Sequence, residues 1–137
     1  MQIPKRIPGL KWLLIFGGIY GFIWIALEGN LQRVVLMGFM TTAITLLFLI
    51  QKFIGDKPIS TFQWIALTAV AGACLGLGTS LLTLLFMAIK TGLHGHGPEF
   101  SLDELTWVSQ QLLLWTAVGF LGGTGLGLIT SQLTNNQ

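Results

Sequence analysis

Four apolar runs, residues 12–27, 34–50, 64–89 and 112–129, divide the chain, and the polar positions collect between them. None of the runs contains Asp, Glu, Lys, Arg or His, and Pro4, Pro8, Pro58 and Pro98 all stand outside them. Crossing a bilayer takes about 20 apolar residues. Hydrocarbon satisfies no backbone N–H or C=O, so a run that crosses has to be helical. The first run is short, about 24 Å at about 1.5 Å per residue, and the third is long enough to tilt. The pattern therefore predicts an all-α fold: an integral membrane four-helix bundle of two helical hairpins, a single transmembrane domain over residues 1–137.

The polar stretches carry start signals for two of these helices. In "ISTFQW", Ser60 and Gln63 form a capping box, with Ile59 and Trp64 at the staple positions. "FSLDEL" repeats the device with Ser101, Glu104, Phe100 and Leu105. Helices three and four are thus expected to begin near Thr61 and Leu102. The fourth then starts about ten residues before its apolar run, and Leu102, Leu105, Val108 and Leu112 share one face there. That stretch, with the loop before it, makes an extracytoplasmic loop and collar over residues 90–111, resting on the neighbouring turn or on a partner.

Charge sets the expected orientation. Lys5, Arg6, Lys11, Lys52 and Lys57 fall on one side of the spans, Arg33 and Lys90 on the other. Basic residues favour the cytoplasm, so both termini are expected there. Trp12 and Trp64 then fit an inner aromatic belt, and Trp24 and Trp107 an outer one. The cations before the first run resemble a signal peptide, but "WIALEGN" has no small-x-small cleavage site, which favours a retained helix. Composition agrees with a membrane address: 53% of the 137 residues are hydrophobic and 9% charged, where a soluble domain carries about 25% charged. The scattered basic residues leave no footprint for nucleic acid. The single Cys74, in an apolar run with no cation beside it, reads as an inert buried hydrophobe.

Helix association in lipid relies on close packing, so small residues mark contacts. Gly119, Gly123 and Gly127 recur every four residues on helix four, with Gly72 and Gly76 on helix three and Gly17 and Gly21 on helix one. Gly38 and Thr42 do the same on helix two. These faces serve either the packing of the bundle itself or the docking of another subunit's helix. Gly122 and Gly125 broaden the small-residue surface of helix four and favour a second contact.

Candidate chemistry is sparse. Glu28 closes helix one and Arg33 opens helix two, each against its own helix dipole. Pairing across the turn is the simplest remedy. The alternative turns Glu28 toward "KTGLHGHGPEF", on the same side of the membrane. In that loop His94 and His96 flank Gly95, and two imidazoles with nearby carboxylates are ligands for a divalent metal. Two ligands without a cysteine fall short of a structural zinc set, so a partner-facing loop and a plain connector stay open beside the metal site. No cofactor is otherwise expected. No nucleophile–base pair, phosphate loop or zincin motif is present, and an enzyme is not expected.

The size and four runs resemble the small multidrug-resistance transporters, but their membrane-embedded glutamate has no counterpart here. "FGGIYG" and "GFLGGT" resemble glycine signatures of the small fluoride channels, without the arginine, asparagine and phenylalanine those carry. With "KTGLHGHGPEF" between helices three and four, the chain also resembles uncharacterised small four-helix membrane proteins of photosynthetic bacteria. That resemblance implies no activity, only a plasma-membrane (cell inner membrane) or thylakoid address.

Three functional readings follow. The first is a non-enzymatic accessory or assembly subunit, in a membrane protein complex or homo-oligomer, packing through its glycine faces and its extracytoplasmic His/acidic loop. The second is a solute or ion conductor lined by Thr41, Thr42, Thr45, Thr79, Ser80, Thr83 and Thr124. The third is metal handling at His94 and His96.

Overall fold

The computed structural model describes residues 4–27, 29–94 and 97–135, the side chains of residues 94, 134 and 135 excepted. It is all-helical, with α1 over Leu10–Ala26, α2 over Leu31–Ile54, α3 over Thr61–His94 and α4 over Leu102–Asn135. The helices α2, α3 and α4 are long and apolar enough to cross a membrane. With 17 residues, α1 is equally apolar but shorter, about 25 Å at about 1.5 Å per residue.

Local chemistry accounts for the boundaries. Pro8 and Gly9 start α1, with Gly9 at φ 81, a left-handed conformation that glycine adopts without steric cost. Asn30 caps α2, its side chain accepting from the amides of Gln32 (3.0 Å) and Arg33 (3.3 Å). The amide of Gln63 donates to Ser60 Oγ at 3.2 Å and the amide of Ser60 to Gln63 Oε1 at 2.9 Å, and α3 begins at Thr61. The amide of Glu104 donates to Ser101 Oγ at 3.2 Å and that of Ser101 to Glu104 Oε2 at 2.8 Å, and α4 begins at Leu102.

Packing follows chain order: α4 lies on α3 with the most extensive contact, α3 on α2, and α2 on α1. Glycine makes the α3–α4 approach possible. A methyl group on Gly72 would overlap the carbonyl of Gly119, one on Gly76 the carbonyl of Trp115, and one on Gly123 the carbonyl of Thr68. Gly127 sits as tightly against the Thr68 hydroxyl. Where α2 crosses α3, a Cβ on Gly38 would stand 2.8 Å from the Thr79 carbonyl, and one on Gly78 2.6 Å from a Thr42 methyl. The α1–α2 contact is softer. Gly17 faces the tip of Ile44 and Gly21 the tip of Met37, both flexible side-chain ends.

The distribution of apolar groups is inverted relative to a water-soluble domain. Among the described residues, Phe22, Leu102, Leu113 and Phe62 are about four-fifths exposed, while Thr42, Thr79, Ser80 and Thr83 are buried. A continuous apolar exterior on this scale needs an apolar medium or a partner. Two sequence expectations change here. Trp24 is buried at 3% exposure, because it packs beneath Lys90 and beside Phe86, and so does not join an outer aromatic belt. Cys74 is exposed on the outside of α3, because the residues around it that face neighbouring helices are Gly72, Ala73 and Gly76.

At the end where α3 starts and α4 finishes, Trp64 Nε1 donates to Thr130 Oγ1 at 2.7 Å. Removing one interhelical hydrogen bond of this kind in an apolar medium costs about 0.5–1.5 kcal/mol. Trp64→Phe is expected to lower the midpoint of a denaturing-detergent titration by that amount, and Thr130→Val should do the same without adding to it.

Candidate functional site

The polar centre of the molecule forms where the α1–α2 turn meets the segment leading into α4. The last-turn carbonyls of α1 have no partner within their own helix, a deficit common to every helix C-terminus. Lys90 supplies one from α3. Its ammonium donates to the carbonyl of Trp24 at 3.0 Å, to that of Ile25 at 3.5 Å, and to that of Leu27. The same nitrogen lies 4.8 Å from the centre of the Trp24 ring and 3.8 Å from Glu99 Oε2. Lys90 is 1% exposed.

Sequence explains each part locally. Position 90 falls in the last turns of α3, where a long side chain can leave the helix and reach across to α1. The positive charge complements the negative end of the α1 dipole, and the four methylenes of the lysine stem stay among apolar side chains. Glu99 reaches the lysine because residue 29 is glycine. A Cβ there would stand 2.6 Å from Glu99 Oε2 and 3.0 Å from its Cβ. Phe100 anchors the same segment at 4% exposure in a cluster with Trp24, Val34, Met87 and Val108. Leu31 and Leu105 pack against that cluster. On the collar face of α4, Val108 thus joins the cluster with Trp24 of α1 and Val34 of α2 and Leu105 packs against it, while Leu102 projects outward at 80% exposure.

Chemically, the arrangement is a clamp. Three carbonyls surround the Lys90 nitrogen, with the Glu99 carboxylate beside them. A cation near a helix C-terminus ordinarily answers the dipole of its own helix, yet α3 continues to His94 and Lys90 caps a different helix. The one signal in the sequence is the position of this cation directly after a long uncharged run, on the same side as Glu99.

His94 closes α3. Its side chain, the whole of His96 and the whole of Glu28 lie outside the described residues, so the metal reading and the Glu28–Arg33 pair fall there as well. Arg33 stands in the first turn of α2, where its carbonyl accepts from the Tyr20 hydroxyl at 3.5 Å.

Several of the hydroxyl groups expected to line a conduction path bond their own helix backbone. Thr42, Thr79, Thr83 and Thr124 each donate to the carbonyl four residues back, at 2.8, 2.6, 2.7 and 2.7 Å. Thr42, Thr79, Ser80 and Thr83 are buried, and Thr45 faces outward.

An apolar groove of about 750 Å³ lies on the opposite side of α2 from α1. Its floor is α3 at Gly72, Leu75 and Thr79; its walls are α2 at Val35 and Phe39 and α4 at Trp115. Met37, Ile44 and Gln51 form the α2 face that meets α1 and the segment before it. Val35 and Phe39 lie two residues to either side of Met37, about 160° around the helix. The first helix thus leaves this groove open.

No family model, no curated protein and no solved structure matches the chain.

Proposed function

We propose that this chain is a non-enzymatic integral membrane subunit that holds or assembles other membrane helices. The proposed arrangement has all four helices crossing the bilayer and both termini in the cytoplasm. The observation that carries the reading is the open groove between α2 and α4, apolar almost throughout and left unfilled by α1. An apolar helix with small residues on one face suits such a furrow, because association in lipid rewards close approach. The glycines of α3 and α4 at positions 72, 76, 119, 123 and 127 already serve the hairpin, which leaves the groove and the outward glycines for a partner. Gly122 and Gly125 have open space where a Cβ would stand.

The conductor reading has less support. Its hydroxyls bond their own helices, and the buried cation among the described residues clamps α1 at a helix end. Coupled transport usually places an ionisable group in the path itself. The metal reading rests on His94 and His96 alone.

Purification in a mild detergent followed by mass spectrometry tests the proposal. A companion protein at fixed stoichiometry is expected, and Val35→Trp should release it by filling the groove while leaving the denaturation midpoint of the isolated chain in place. A chain that purifies alone and passes solute in liposomes would replace this reading with the second.

A further inference from the structure

The end of the molecule where α1 starts and α2 finishes gathers cations from two distant segments. Lys5, Arg6 and Lys11 come from the start of the chain, and Lys52 and Lys57 from the end of α2 and the turn after it. All five are exposed. The amide of Ile7 donates to Gln51 Oε1 at 2.7 Å, so the two segments are tied and the charges form one patch. Asp56 is the one carboxylate at that end among the described residues; Glu99, Asp103 and Glu104 belong to the other end. No acidic residue stands in the first turn of α1, so its dipole adds to the same positive field.

The patch is framed by exposed aromatic rings. Trp12 is 63% exposed and stacks on Phe16 with centroids 6.1 Å apart, and Phe53 is 58% exposed with the Lys52 ammonium 5.4 Å above its ring. Aromatic groups of this kind settle at the boundary between hydrocarbon and headgroups. Lys11 and Lys52 are the sequence neighbours of Trp12 and Phe53, so rings at that boundary would bring these cations within reach of the phosphates.

We infer that this end of the protein binds anionic phospholipid headgroups in preference to zwitterionic ones. The occupant follows from charge and depth. Five cations against one carboxylate attract phosphate diesters that carry a net negative charge, and the aromatic frame holds the patch in the headgroup layer, where a lipid meets it first. Each basic residue near an anionic surface contributes roughly five-fold in association. Lipid selection would be a property of this subunit separate from helix docking, at the opposite end of the fold from the Lys90 clamp.

The inference rests on the membrane reading above, and its test keeps the two apart. The full chain is equilibrated in mixed micelles with equal phosphatidylglycerol and phosphatidylcholine, and retained lipids are counted by native mass spectrometry. Phosphatidylglycerol is expected to exceed phosphatidylcholine by at least about five-fold, with the excess falling as salt rises. The combined variant Lys5→Gln, Arg6→Gln, Lys11→Gln, Lys52→Gln and Lys57→Gln should bring the ratio to parity, whereas Arg33→Gln at the other end should leave it unchanged. Parity in the parent chain overturns the inference and points to an acidic protein surface as the partner of these cations. An excess that survives the combined variant overturns it by placing lipid selection elsewhere on the protein. Cysteine labelling of intact cells reports the side of the membrane independently. Outward-facing termini would overturn the proposed orientation whatever lipid the patch retains.

Discussion

Gly119→Leu is expected to split the α3–α4 hairpin, whereas Gly122→Leu, three residues along the same helix, is expected to leave it intact. At position 119 the first added carbon already overlaps the carbonyl oxygen of Gly72, and a backbone oxygen cannot rotate away as a side-chain tip can. The helices would have to separate along their closest line of contact, which includes Gly76, Gly123 and Gly127. Overpacking a tight contact costs about 1–3 kcal/mol and more when backbone must move, so a loss of about 3 kcal/mol or more is expected. At position 122 a Cβ meets nothing within 4 Å. A change on an open surface stays within about 0.5 kcal/mol. A denaturing-detergent titration of the two variants measures the difference directly. Equal losses would mean that α3 and α4 do not meet along this face. If Gly122→Leu preserves the midpoint but releases a companion protein, the outward glycine belongs to the assembly surface.

Lys90→Met carries the second large effect. Methionine preserves most of the stem and removes the ammonium, so packing changes little while the carbonyls of Trp24, Ile25 and Leu27 lose their donor. The same change takes the cation from beside Glu99. Removing one member of a buried ion pair costs about 3–5 kcal/mol. The loss should be local, because α1 meets α2 through flexible side-chain tips and its end is tied down by Lys90. Amide exchange over residues 10–26 is therefore expected to accelerate strongly while α3 and α4 keep their protection. Uniform acceleration in all four helices would show that the lysine stabilises the whole fold and does not specifically clamp α1. Adding Glu99→Gln to Lys90→Met should recover part of the loss, with a coupling of about 0.5–3 kcal/mol for groups in contact.

Much of the helical content was legible because runs this long and apolar leave the backbone few options. A run such as 34–50, without an ionisable group or proline, has one way to satisfy its amides in an apolar medium. Ser60 with Gln63 and Ser101 with Glu104 mark helix starts that depend only on residues three apart, and local bonds of that kind are written in local sequence. The recurrence of glycine every four residues likewise defines a face before any partner is known. It does not say which helix meets that face, since the same stripe suits a neighbour in the chain or a foreign subunit.

Distances across the chain were beyond sequence. Nothing near position 90 shows that its ammonium reaches residues 24–27, more than sixty positions earlier, or that Gly29 makes room for the Glu99 carboxylate. Trp24 reads as an interfacial aromatic and Cys74 as a buried hydrophobe; rotation of their helices in the assembled fold reverses both. Sequence alone determined which segments are helical, where two of them start and how their charges divide, because these follow from solvation and from bonds within a turn. Tertiary structure alone decided that α3 and α4 consume the glycine stripes, that Lys90 clamps α1, and that a groove stays open beside α2. Each of those depends on the relative rotation of packed helices, which sequence spacing leaves free.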